Sequence, residues 1–240
     1  MDTEHHEVDE SVSVPHPRAG GWAAATTALL GFLALILAQV MDTLVADMAL
    51  LRDLANVGYA PSSEIHTNHL ALQIVAWGTV VVGTLAASSW LVWQYQAHAN
   101  ARALPTKGMR FHPIAAVASW FLPVANLVLP LLAMRELWKA TDTDRDLADW
   151  KRARTSPWLW LWWLSLLGAA ALTFLAFRHV LGADPTVAQR ATRDHIAQRA
   201  AGVGFVSALL GIVLLQLIRS RLAYREGRVR FRFWRGWTKP

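Results

Sequence analysis

The chain has no cysteine, which removes disulfides, thiolate catalysis, c-type haem attachment and cysteine-held iron–sulfur clusters from consideration. Charge is scarce as well. Asp, Glu, Lys and Arg make up 17% of the 240 residues against 54% hydrophobic, and the apolar residues fall in long blocks rather than short alternating runs. That pattern describes insertion into a membrane, as one bundle rather than two domains. Reaction signatures are missing too: there is no HExxH, no GxSxG, no GxxxxGK[ST] and no carboxylate pair inside an apolar segment. No catalytic residue, metal ligand or cofactor is therefore expected, and the chain is not expected to be an enzyme.

What charge there is sums to +6, with an isoelectric point near 10.3. The positive residues stand beside apolar blocks, where anionic lipid headgroups are a simpler partner than nucleic acid. Residues 1–21 differ: Asp2, Glu4, Glu7, Asp9 and Glu10 stand against Arg18, with Pro15 and Pro17 close behind. This reads as a disordered acidic tail. It lacks the basic start and the cleavage site of a secretory signal, so no cleavage is expected. His5 and His6 are read as solvated side chains of that tail, since a stable metal site needs three or four fixed ligands.

Residues 22–218 hold the bundle. A first span is expected from Trp22 to Val40, continuing as an amphipathic extension with Asp42, Asp47, Arg52 and Asp53, in which Asp42 simply reaches water. Pro61-Ser62-Ser63-Glu64 reads as a helix start with a capping serine, and a second span follows from Leu70 to Trp93, with Gly83 and Ala87 as a ridge for close packing. His66 and His69 before it have a spacing that zinc accepts, but no third ligand is near in sequence. Beyond Trp93 the helix is expected to run on into water through Gln94, His98 and Asn100. Trp158, Trp160, Trp162 and Trp163 open a further span to Phe177 and read as an interface anchor rather than a cation-binding cage. The last span runs from Val203 to Ile218, with Gly204, Ser207, Ala208 and Gly211 spaced for helix packing.

Between the second and third spans lies the segment around which the rest is organised. From Ser119 to Pro130 the chain is apolar enough for lipid yet holds Pro123, Asn126 and Pro130. A proline inside a regular helix costs about 3 kcal/mol, tolerable at membrane depth only where protein or water satisfies the freed carbonyls. Both flanks are basic, Arg102, Lys107 and Arg110 before it and Arg135, Lys139, Arg145, Lys151, Arg152 and Arg154 after it. A single crossing would translocate one of them, so residues 113–132 are expected to form a broken re-entrant or interfacial segment; a proline-kinked full span is the alternative. Asn100, Asn126, Arg135 and Glu136 are expected to hydrogen-bond backbone groups left unpaired around Pro123 and Pro130.

Residues 219–240 form the most basic stretch. Within it Arg228, Arg230, Arg232 and Arg235 interleave with Phe231, Phe233 and Trp234, a pattern that lets arginines meet lipid phosphates while the aromatics enter the interface. Arg228, Arg230, Arg232, Trp234 and Arg235 are accordingly the candidate lipid-binding residues. The fold class that follows is all-α: an integral membrane bundle of four transmembrane helices plus one proline-broken segment, with both termini cytoplasmic.

Several residues carry a resemblance. Trp93-Gln94-Tyr95 followed by Asn100-Ala101, the run Trp120-Phe121-x-Pro123-x-x-Asn126-Leu127-x-x-Pro130, then Arg135-Glu136-Leu137-Trp138, and later Trp162-Trp163, together resemble the domain of unknown function 4328 family, uncharacterised and largely actinobacterial membrane proteins. Leu131 stands where the family often has an aromatic, and His112 where a serine usually precedes the proline. The resemblance implies a multi-pass protein of the bacterial plasma membrane, makes Trp93, Asn100, Trp120, Pro123, Asn126, Pro130, Glu136 and Trp138 the family-motif residues, and supplies no activity. Two functions follow from the residues. The first is a noncatalytic bundle that docks a partner or organises anionic lipid at the cytoplasmic face. The alternative is a small transporter or channel whose broken segment lines the substrate path.

Overall fold

The computed structural model describes residues 19–104, 106, 108–144, 149–178 and 186–237, with the backbone alone from 228 onward. Six α-helices account for nearly all of it: α1 (Ala19–Val57), α2 (Ser62–Ala103), α3 (Pro113–Ala118), α4 (Leu129–Ala140), α5 (Pro157–Arg178) and α6 (Val187–Trp237). Four of them, α1, α2, α5 and α6, are long and apolar enough to cross a membrane. Helix α1 begins at Ala19, three residues ahead of the expected bundle boundary.

Successive long helices run antiparallel. At one end Thr26 of α1 meets Ser89 of α2, their hydroxyls 2.6 Å apart, and Gln216 Nε2 of α6 donates to Thr27 Oγ1 at 2.8 Å. At the other end Asn68 Nδ2 of α2 donates to Asp47 of α1 at 2.6 Å. Such cross-helix bonds matter in lipid because burial of apolar surface gives little drive between helices, leaving packing and polar contacts to hold them. Glycines on α6 allow the close approach. A Cβ at Gly204 would stand 3.3 Å from Leu37 of α1, and one at Gly211 would stand 3.3 Å from Trp162 Nε1 of α5. The expected packing residues Gly204 and Gly211 thus face α1 and α5, and α6 is the helix on which both lean.

Prolines start helices here rather than kink them. Pro113 and Pro130 occupy the first turns of α3 and α4, where the missing N–H would have been unsatisfied anyway, and Pro157 opens α5. Pro61 is itself the residue before α2, in extended conformation and with no side-chain cap, so the capping serine expected at Ser62 or Ser63 is not used. Ser63 sits inside the first turn instead, its carbonyl accepting from Thr67 Oγ1.

Because α2 ends where α5 begins, the chain between them leaves and returns at one end of the bundle. Helices α3 and α4, of 6 and 12 residues, rise only about 9 and 18 Å, short of the roughly 30 Å hydrocarbon core. They form a hairpin whose turn, residues 119–128, points toward the bundle centre and stops beside Trp163, about a turn and a half into α5. The broken segment therefore starts and ends at one end of the four-helix bundle, the arrangement expected of a re-entrant or interfacial segment and not of a fifth span.

Candidate functional site

The hairpin is fastened to α2 along a face that the sequence pattern assigned to water. Trp93, Gln94, Ala97, His98, Asn100 and Ala101 are all buried, and they recur at helical spacing of three and four residues, so they form one stripe. Alanines make the contact close: Ala97 and Ala101 on α2, Ala116 on α3, and Ala133 and Ala140 on α4 are fully enclosed. Polar side chains then fix the register. Gln94 accepts from Trp120 Nε1 at 2.8 Å and donates to the Ala116 carbonyl at 3.4 Å. His98 sets its ring nitrogens 2.9 Å from the carbonyl of Gln94 and 3.3 Å from that of Ala133, bridging α2 to α4. Gln94 and His98 were missed as site residues because polar side chains past a tryptophan look like the exit into water; the alanines interleaved with them are the signal that could have revealed a covered face.

Five tryptophans gather where the hairpin tip meets α2 and α5. Trp90 stacks on Trp162 at 5.1 Å between ring centroids and lies 4.9 Å from Trp93, while Trp120 meets Trp163 edge-on at 5.7 Å and Trp162 at 6.5 Å. These separations are those of favourable aromatic pairs. Trp163 Nε1 also donates to the Leu127 carbonyl at 3.1 Å, tying the tip to α5. Trp162 and Trp163 are thus structural members of the hairpin's seat, beyond anchoring α5 at an interface.

The tip itself is apolar and exposed. Phe121, Leu122, Val124, Leu127 and Val128 are uncovered by protein, so its backbone must be satisfied locally if it lies in lipid. Much of it is: Trp120 and Phe121 N–H bond to the carbonyls of Val117 and Ala118, Asn126 N–H to Leu122, and Val128 N–H to Ala125. Between them Ala125 N–H bonds back across one residue to the Pro123 carbonyl at 2.7 Å, closing a γ-turn centred on Val124 with φ 63° and ψ −46°. A β-branched residue there is strained, of order 1–3 kcal/mol. Since Val124 is 81% exposed, Val124→Gly gives up little protein contact and is expected to raise stability by about 1 kcal/mol, read as a higher midpoint of thermal unfolding in detergent. A lower midpoint would mean that the side chain is held by lipid.

The motif residues divide between seat and tip. Trp93, Asn100, Pro130, Glu136 and Trp138 are buried around the α2–α4 contact, with Trp120 half-buried among the tryptophans. Pro123 is exposed at the tip and Asn126 half-buried in its 3-10 turn. Hydrogen bonds run otherwise than expected. Glu136 accepts from the backbone N–H groups of Arg110 and Phe111, which precede α3, and Arg135 Nε donates to Thr155 Oγ1 at 3.1 Å. Neither reaches the prolines, and no hydrogen bond from the side chain of Asn100 or Asn126 occurs among the described residues.

Charge is distributed unevenly between the two ends. Between residues 19 and 227 the described part of the hairpin end carries ten Lys and Arg against five Asp and Glu, and the opposite end five against five. On α6 the guanidinium of Arg221 lies 3.9 Å over the ring of Trp138, a cation-π contact joining α6 to α4, and Arg225 is buried one turn further on. Helix α6 then continues unbroken to Trp237. In helical register Arg221, Arg225, Arg228, Arg232 and Arg235 follow one another by four, three, four and three residues and share one face, whereas Arg230 falls on the other side. Trp234 lies in the same helical stretch. The N-terminal acidic residues, with His5 and His6, lie outside the described residues.

Little here could carry chemistry. Among the described residues no group of three His, Asp or Glu is placed to hold a metal ion. His66 and His69 are exposed on α2, and His69 faces Gln73. Asp42 is exposed, Asp47 accepts from Asn68, and Asp194 is enclosed at the start of α6 with Arg193 2.7 Å away. No curated protein and no solved structure matches the chain. Residues 60–220, which contain the hairpin, its seat on α2, the five tryptophans and most of α6, match the model of a domain of unknown function (DUF4328), and the chain belongs to that family.

Proposed function

We propose that this membrane protein is a noncatalytic bundle whose hairpin end faces the cytoplasm and gathers anionic lipid headgroups. The observation that carries the reading is the charge asymmetry: the fold collects the loops around α3 and α4 and the C-terminal half of α6 at one end, with an excess of five positive charges against none at the other. Positive residues flanking spans favour the cytoplasmic side. There each cation near an anionic surface contributes about 1 kcal/mol, decaying within a Debye length of about 8 Å at physiological salt. Arg219, Arg221 and Arg225 stand within the first turns beyond the apolar part of α6, and the face that Arg221 and Arg225 begin extends in helical register through Arg228, Arg232 and Arg235. A transport path for polar solutes is not favoured, because the space lined by the broken segment's Trp120 and Phe121 is apolar.

The test is tryptophan quenching by brominated lipid in vesicles holding the full chain. Brominated phosphatidylglycerol is expected to quench more strongly than brominated phosphatidylcholine at low salt. Both raised salt and replacement of Arg228, Arg230, Arg232 and Arg235 by Gln should narrow the difference. Equal quenching by the two lipids at low salt would overturn the proposal.

A further inference from the structure

The long helices pack as an open C, α2 along α1, α1 along α6, and α6 along α5. At the end opposite the hairpin, α1 and α6 meet through two acids. Asp47 stands beyond the apolar span that ends at Val40, and Asp194 ahead of the one that starts at Val203, so both lie outside the apolar segments. Their carboxyls face each other within hydrogen-bonding reach. Two ionised carboxylates cannot bond in that arrangement, because each only accepts. Asp194 is the enclosed partner. Its side chain is 1% exposed, its Oδ1 takes Arg193 Nε at 2.8 Å and a terminal guanidinium nitrogen at 2.7 Å, and among the described residues no donor reaches its Oδ2. A buried acceptor left so is unfavourable, and a proton on either carboxyl supplies the missing donor. Asp47 is half-buried and accepts from Asn68 Nδ2 at 2.6 Å, so the pair ties α6 to both α1 and α2.

The charges around the pair ask for a single proton. Asp47 from α1 and Arg193 from α6 itself are the charged groups that act on Asp194. Helix α2 presents the uncharged Asn68, while Arg178 at the end of α5 and Arg190, His195 and Arg199 on α6 are exposed. Two carboxylates against one guanidinium leave one negative charge, which one proton cancels. A divalent metal ion fits less well, since the hard cations take six or more oxygens and no third His, Asp or Glu joins the pair among the described residues. Water has a way in. A polar cleft between α1 and α2, lined by Asp42, Asp53, Glu64 and Thr67, reaches Asn68, and its lining holds acids and no base, a field that gathers cations. We infer that Asp47 and Asp194 bind one proton between them, and that its release to water loosens α6 from α1 at this end. Burial first, and then the facing Asp47, push the Asp194 carboxyl up to about 6 against the pull of Arg193. A carboxyl so raised favours the packed state fully below the ordinary range near 4, and that preference is lost as pH rises through about 6.

The experiment is difference infrared spectroscopy of the full chain between about pH 5 and pH 7.5, in a maltoside detergent that has no ester carbonyl and no anionic lipid. A protonated-carboxyl band is expected to vanish with a midpoint near pH 6, above the range of exposed carboxyls, and histidine has no such band. Asp194→Asn should remove it, the amide donating to Asp47 as the protonated acid does. Asp47→Asn should lower its midpoint by about one unit or more, because an amide donor then meets Asp194. Hydrogen exchange reads the consequence. Corrected for intrinsic rates, protection of the amides of residues 194–198 should fall about tenfold between the same two pH values in the parent and stay level in Asp194→Asn. The inference is overturned by the absence of a band titrating near pH 6, by one that survives Asp194→Asn or that Asp47→Asn leaves unmoved, or by protection that follows pH equally in the parent and Asp194→Asn. The titration of the parent chain decides the proton site even if a variant fails to fold.

Discussion

Trp162→Ala is expected to be the most destabilising single substitution in the chain, costing about 3–5 kcal/mol, the range for removing a buried large aromatic. The side chain is almost fully enclosed and touches three other tryptophans, and its indole nitrogen fills the notch that Gly211 leaves on α6. It therefore joins α2, α5, α6 and the hairpin tip at one point. In lipid the loss is one of packing rather than of burial from water, because the surrounding chains are as apolar as the core. Thermal unfolding in detergent reads it, and Trp162→Phe should recover part of the loss by keeping the stack on Trp90. A midpoint for the alanine variant within error of the parent would mean that the aromatic cluster contributes nothing to the fold.

The second large effect belongs to Glu136. Its carboxylate accepts from two successive backbone N–H groups, Arg110 and Phe111, at a site almost closed to solvent. Glu136→Ala leaves both donors without that acceptor, and a buried donor so orphaned costs about 1–3 kcal/mol; together a loss of about 2–4 kcal/mol is expected. Glu136→Gln keeps an acceptor oxygen and loses only the charge assistance, so it should cost about 1 kcal/mol. Amide exchange separates the cases locally, with Arg110 and Phe111 gaining protection factors near those of a frayed loop in the alanine variant and remaining protected in the glutamine variant. Equal exchange in both would show that the charge, rather than the acceptor geometry, holds the loop before α3.

These sites show how far the sequence could be read. The four candidate spans follow directly from apolar length, and the return of the broken segment to one end of the bundle from counting basic residues on its two flanks, since neither argument needs to know what touches what. The hairpin's seat is different. Gln94, His98 and Asn100 carry the same residue types whether they meet water or a second helix, and only the hairpin, whose contacts with Gln94 and His98 come 22 to 35 residues later, decides. Glu136 likewise has no sequence signal pointing to Arg110 and Phe111, because a carboxylate capping a loop from a distant helix leaves no local pattern. Pro123 and Pro130 were legible as breaks, but Pro130 in the first turn of α4 and Pro123 in the turn between the two helices are inexpensive there, and the strain falls on Val124 instead.

The return of the hairpin to the side from which it started has a consequence for biogenesis. With the hairpin end on the cytoplasmic side, as proposed, the connections carried through the bilayer are those between α1 and α2 and between α5 and α6, while the polar stretch from α2 to α5 stays on the side of synthesis. Insertion thus reduces to two helical hairpins entering in succession. The C-shaped bundle is then assembled sideways within the membrane, when the second hairpin presents α6 to α1.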